Sequence, residues 1–240
     1  MNAGEATPAL SVRARRAVTW SALTTTARFV LQLGAQVTLA RLLGPGPYGI
    51  YGIGIAVLTF ATFLAGTGFS YSLMLQAQVG TADVRFAFTW QLLAGAACAL
   101  AMVLLAPVMA GWFREPGVAS MLRWLALACV LTAASGTALC PLQRELDFRA
   151  LGLIQLAAYA IGYLGAGVPL ALAGWGADAL ALACVVQAAV VLAGCWWRRP
   201  HAARPLLRQP ASSMALGTGR TVFFTNLVNW LLGNLDRLVI

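Results

Sequence analysis

The chain has 240 residues, of which 60% are hydrophobic and only 10% charged, and its mean hydropathy is +0.80. Too few polar residues are present to cover a water-soluble globule, which excludes a soluble one- or two-domain protein. The net charge of +9 comes from 16 arginines and no lysine against seven acids, and the placement of those arginines reads as membrane topology, not as a nucleic-acid surface.

The intervals 42–82, 86–113, 124–143, 150–177 and 179–197 are free of charge. Each reaches or exceeds the ~18 residues expected of a membrane-spanning helix. A β-barrel would show alternating segments of about ten residues, which these uniformly apolar stretches lack. The expected fold is therefore all-α and polytopic.

In chain order, residues 1–16 read as a cytoplasmic N-terminal tail, with 1–12 short, polar and unpatterned. The first helix, about 17–40, crosses outward. Ser21, Thr24, Arg28, Gln32 and Gln36 recur on it at spacings of three and four and line one face, while Val30, Leu33, Val37 and Leu39 cover much of the remainder. An arginine near the middle of a span costs roughly 2.5–3.5 kcal/mol, so such residues face a bundle interior or a watery cavity. This stripe reads as the wall of a transport path.

The first helix stops in Gly44-Pro45-Gly46-Pro47, and the second, about 48–74, holds Gly66-Thr67-Gly68-Phe69-Ser70 near its inner end, where small residues allow close approach or a bend. The third, about 86–111, ends at Trp112-Phe113-Arg114-Glu115-Pro116-Gly117, and the fourth, about 118–141, returns. Residues 141–149 mix both charge signs with apolar residues, as a segment lying along the inner surface would. Helices five (about 150–173) and six (about 178–197) form a hairpin around Gly174-Trp175-Gly176. Thus 17–197 is read as a six-helix lobe. Residues 198–219, with Pro200, Pro205 and Pro210, read as a cytoplasmic linker, and 220–240 as a seventh helix that stops without polar flanks, as in a truncated chain.

Arg13, Arg15, Arg16, Arg85, Arg144, Arg149, Arg198, Arg199, Arg204, Arg208 and Arg220 fall in the N-terminal segment or in alternate loops. The other loops hold only Arg41, Arg114 and nearby Arg123. This bias places the N-terminus in the cytoplasm. Cys98, Cys129, Cys140, Cys184 and Cys195 show no metal-ligand spacing and read as small buried hydrophobes. His201 reads as a solvated loop residue. No phosphate-cradling glycine motif with a partner lysine occurs, so neither ATP drive nor a cofactor is expected.

Several stretches carry a resemblance: Ala40-Arg41-Leu42-Leu43-Gly44-Pro45 with Tyr48-Gly49, Gly66-Thr67-Gly68-Phe69-Ser70, Phe113-Arg114-Glu115-Pro116, Arg144-Glu145-Leu146-Asp147-Phe148-Arg149, and Asn229 with Asn234-Leu235-Asp236-Arg237. In order and position they resemble the polysaccharide-transport branch (O-antigen and exopolysaccharide flippases) of the multidrug/oligosaccharidyl-lipid/polysaccharide exporter superfamily. The resemblance implies two six-helix lobes facing a central cavity, of which this chain supplies one and the start of the next. It also implies a bacterial inner membrane, and passage of a polyprenyl-pyrophosphate-linked glycan between leaflets with membrane lipid and other polysaccharide-assembly proteins as neighbours. In such a repeat the seventh helix corresponds to the first, and both are polar here.

On that reading Arg28, Gln32 and Gln36 form a cationic, hydrogen-bonding strip for a pyrophosphate and sugars; the plainer alternative is a polar helix–helix contact satisfied inside the bundle. Asn229 and Asp236 share one face of the seventh helix, and Asp236 with Arg237 either joins the substrate path or sits at the outer interface, Arg237 snorkelling there. A drug or cation antiporter of the same superfamily is the alternative within transport, and intramembrane positive charge favours an anionic substrate over it. A membrane glycan-synthesis enzyme would need carboxylates or metal ligands held together, whereas the outward loops supply only Glu115 and Asp178, far apart.

Overall fold

A computed structural model describes residues 6–66, 80–145, 147–198 and 206, and in residues 6–18, 81, 141 and 144 the backbone alone. Six helices account for nearly all of it: α1 (Ala6–Leu43), α2 (Pro45–Gly66), α3 (Thr81–Phe113), α4 (Gly117–Arg144), α5 (Phe148–Leu172) and α6 (Ala177–Arg198). No strand occurs among the described residues. The protein is an all-α, multi-pass membrane protein. Helices α2 to α6 are each long and apolar enough to span a bilayer; α1 is longer still, but its polar stripe sets it apart from them.

The helix ends follow local chemistry. Gly44 closes α1 at φ 75°, a left-handed conformation that a residue with a Cβ resists, and its N–H bonds Ala40 O. Helix α3 starts where the Gly80 N–H donates to Asp83 Oδ2 at 2.9 Å. It ends with Arg114 at φ 56°, Glu115 N–H reaching back to Ala110 O, and Pro116 preventing continuation. Asp147 caps α5 by accepting from the Ala150 N–H at 3.1 Å.

Two expected boundaries move. Helix α1 begins at Ala6, so most of the stretch read as an unpatterned tail is helical. Helix α4 runs to Arg144 and α5 starts at Phe148, which leaves only a short turn where a surface-lying segment is expected. The glycine-rich end of the second expected helix, nearly all of the linker and the whole seventh helix lie outside the described residues.

The core is built on α4. Met121, Leu122, Leu125 and Cys129 are fully buried where α4 meets α2, α3 and α6. The three short turns after α1, α3 and α5 gather at one end: Gly117 faces Ile50, and Ser120 Oγ donates to Asp178 Oδ2 at 2.8 Å. At the other end the Arg149 guanidinium sits 4.8 Å over the Trp20 ring, and Phe88 meets Trp196. Leu100, Leu104, Leu105 and Val108 of α3 stay exposed, as lipid-facing residues of a spanning helix do.

Helix α1 lies at the edge of the bundle and packs mainly on α5. The two run in the same direction, from the Thr24–Gly152 contact to Leu39 near Gly167. Thr24, Ala35 and Leu39 are buried on the α5 side, while Val30, Leu33 and Val37 remain more than half or about half exposed. This edge placement leaves the polar stripe in an open groove.

Candidate functional site

The groove between α1 and α5 holds a pocket of about 200 Å³ lined by Thr24, Thr25, Arg28, Phe29, Gln32, Gly152 and Gln155. Its floor depends on Gly152: a Cβ there would lie 2.6 Å from Thr24 Cβ and 2.7 Å from Thr24 Cγ2. The missing side chain lets α1 close onto α5. The Thr24 hydroxyl is satisfied within its own helix, donating to Trp20 O at 2.8 Å, and its Oγ1, Cβ and Cγ2 all lie against Gly152.

One turn further along, Arg28 Nη1 donates to Gln155 Oε1 at 2.7 Å. This bond fixes the guanidinium at the pocket wall without cancelling its charge, because glutamine is neutral. No carboxylate pairs with Arg28 among the described residues. Gln32 stands exposed on the rim. Gln36 is half-buried beyond it, beside Tyr159. Arg28, Gln32 and Gln36 therefore line one groove, but of these three only Arg28 and Gln32 line the pocket itself. Asn229, Asp236 and Arg237 lie outside the described residues.

The depth of Arg28 follows from the helix. Trp20, under Arg149, marks one end of the bundle, and Leu43 is the last residue of α1 at the other. At 1.5 Å per residue, Arg28 lies about 12 Å from the first level and about 22 Å from the second. It lies well inside the bundle, away from both ends.

Spacing on α1 alone does not reveal the partners. Gly152, Gln155, Tyr159 and Tyr163 succeed one another on α5 at intervals of three and four and face the α1 stripe or α2. That interval was the available signal, in a helix otherwise read as apolar. Beneath Gln36, Tyr159 stacks on Tyr163 with centroids 4.5 Å apart, and the Tyr163 and Tyr51 hydroxyls share a buried hydrogen bond of 2.7 Å. No group of three potential metal ligands occurs among the described residues.

A family model described as polysaccharide biosynthesis protein matches residues 38–240. The chain belongs to this family. It is 29% identical over 181 residues to the succinoglycan biosynthesis transport protein ExoT of Rhizobium meliloti, covering 75% of this chain and 36% of that protein. It is 24% identical over 230 residues to the lipopolysaccharide biosynthesis protein WzxC of Escherichia coli, covering 92% of this chain and 45% of that protein. The chain thus spans less than half the length of these curated relatives. No solved structure matches it at a significant level. Tyr51, Gln155, Tyr159 and Tyr163 fall inside the family match, whereas Arg28, Gln32 and Gln36 precede it.

Proposed function

We propose that this chain forms one lobe of a flippase that moves a lipid-linked glycan across the bacterial inner membrane, and that the α1–α5 groove is part of the wall of its path. The observation that carries the reading is Arg28: a cation about 12 Å inside the bundle, held by a neutral partner at the side of a pocket. A guanidinium so placed can fork onto two phosphate oxygens of a polyprenyl pyrophosphate, and Gln32 and Gln36 can donate to glycan hydroxyls. Kinship with ExoT, a transport protein by name, supports transport over synthesis. On this reading the opposing wall, which includes Asn229, Asp236 and Arg237, comes from the second lobe.

The test is export in the full-length protein. Expressed in a strain that lacks its own flippase, and given the matching glycan genes, it is expected to restore surface polysaccharide. Accumulation of lipid-linked glycan on the cytoplasmic face despite normal membrane abundance would refute the reading.

The orientation is N-terminus inside. The end of the bundle with the three short turns carries Arg41, Arg114 and nearby Arg123, while Arg85, Arg144, Arg149 and Arg198 belong to the other end. In a background without native cysteines, a cysteine at Gly46 is expected to react with an impermeant thiol reagent added outside, and one at Ala203 only after the membrane is opened. Reversed labelling would overturn the topology.

A further inference from the structure

Helix α5 changes its winding in mid-course. From Ala160 to Gly167 it is π-helical, with the Val168 N–H reaching back to Tyr163 O, and it is α-helical on both sides. Such segments are rare and occur frequently at functional sites. Its composition lowers the resistance to rewinding: Gly162, Gly165 and Gly167 carry no side chain, and Pro169 cannot donate back to the Gly165 carbonyl. Two of these glycines also mark the close approach to α6, since a Cβ at Gly162 would stand 2.7 Å from Ala183 O and one at Gly167 3.1 Å from Ala183 Cβ.

A buried hydrogen bond ties this segment to α2. The Tyr163 and Tyr51 hydroxyls are 2.7 Å apart. Tyr159, one turn before, is only 3% exposed, and its hydroxyl has no hydrogen-bond partner among the described residues. Gln36 lies near it but outside hydrogen-bonding geometry. A buried hydroxyl left unpaired raises the free energy of this arrangement, and a rewinding that turned Tyr159 onto the Gln36 amide would recover the loss.

We propose that the π-helical segment is a hinge, latched by the Tyr51–Tyr163 hydrogen bond, about which the Phe148–Tyr159 half of α5 tilts against α1 while Tyr159 takes Gln36 as its partner. Gln155 lies on the half that moves, so the hinge shifts the partner of Arg28 and reshapes the pocket. That last step rests on the flippase reading; the hinge itself does not.

Cys184 of α6 faces Tyr163 and reports on the latch. The measurement is the rate at which a membrane-permeant maleimide alkylates Cys184, as the only cysteine of the full-length protein in its membrane. Tyr51→Phe breaks the bond from the α2 side and leaves Tyr163 in place beside Cys184. It is expected to raise the rate about two- to tenfold, the range that loss of one net hydrogen bond implies. Gly165→Ala, whose methyl would meet nothing nearer than Ala160 O at 3.8 Å, stiffens the segment and is expected to lower the rate, alone and combined with Tyr51→Phe. An unchanged rate in Tyr51→Phe, or a rise in Gly165→Ala, overturns the hinge. If Tyr51→Phe does not accumulate in the membrane, Gly165→Ala decides alone, and a rate that does not fall there overturns the hinge. Labelling that shifts as stated, in a protein whose Arg28→Ala variant still exports normally, upholds the hinge and removes the pocket from the transport path.

Discussion

Arg28→Ala is expected to reduce glycan export about 10- to 100-fold while the protein stays in the membrane at normal abundance, and Arg28→Lys to keep a substantial part of it. The magnitude comes from losing a hydrogen bond to a charged group, about 1.5–3 kcal/mol. Stability should change little. Holding an arginine at this depth costs roughly 2.5–3.5 kcal/mol, and the one bond to Gln155 returns no more than that, so removing both leaves the fold about where it was. Lysine retains the charge but not the flat two-pronged geometry, so it separates electrostatic holding from bidentate recognition. Gln155→Glu supplies the complementary arm: a carboxylate 2.7 Å from the guanidinium would neutralise the pocket without removing Arg28. Export is expected to fall there as well. Normal export by Arg28→Ala would end the phosphate role, and loss of the protein from the membrane would mark Arg28 as a structural contact between α1 and α5.

The polar stripe of α1 was legible because helical periodicity is a local property: residues three and four apart share a face whatever surrounds them. Its partners were not. Which helix neighbours α1 depends on how six apolar cylinders settle against one another, and Gly152, Gln155 and Tyr159 acquire meaning only once α5 lies beside α1 in the same direction. The winding change at Ala160–Gly167 was hidden for a related reason. Glycines and a proline in a spanning helix announce a departure from ideal winding, but tertiary contacts with α6 select its form. The early start of α1 at Ala6 has a simpler cause: an alanine- and arginine-rich stretch favours helix even where its polarity suggests a tail.

Gly95→Val is expected to strip the protein from the membrane, and Gly95→Ala to destabilise it by about 1–3 kcal/mol, the usual cost of forcing an extra group into a filled interface. Gly95 is where α3 meets α4: a Cβ there would run directly into Ala133 Cβ and come within 3.8 Å of Cys129 O. Both obstacles are fixed to the α4 backbone, so no rotamer change relieves them and the helices must part. Small residues serve this purpose in membrane helix pairs, where close van der Waals contact replaces the hydrophobic drive that lipid does not supply. The better helix propensity of alanine offsets at most about 1 kcal/mol of the clash. Gly111→Ala is the comparison, since nothing lies within 4 Å of the Cβ it would add, and it is expected to be neutral or slightly stabilising. The decisive variant is the exchange Gly95→Ala with Ala133→Gly, which moves the methyl from one helix to the other and keeps the volume of the contact. Thermal denaturation in detergent should show the midpoint lowered in Gly95→Ala and largely restored in the exchange. Restoration is expected because the lost space is recovered at the same point of contact; a midpoint lowered further by Ala133→Gly would mean that the α3–α4 contact is not where the structure places it.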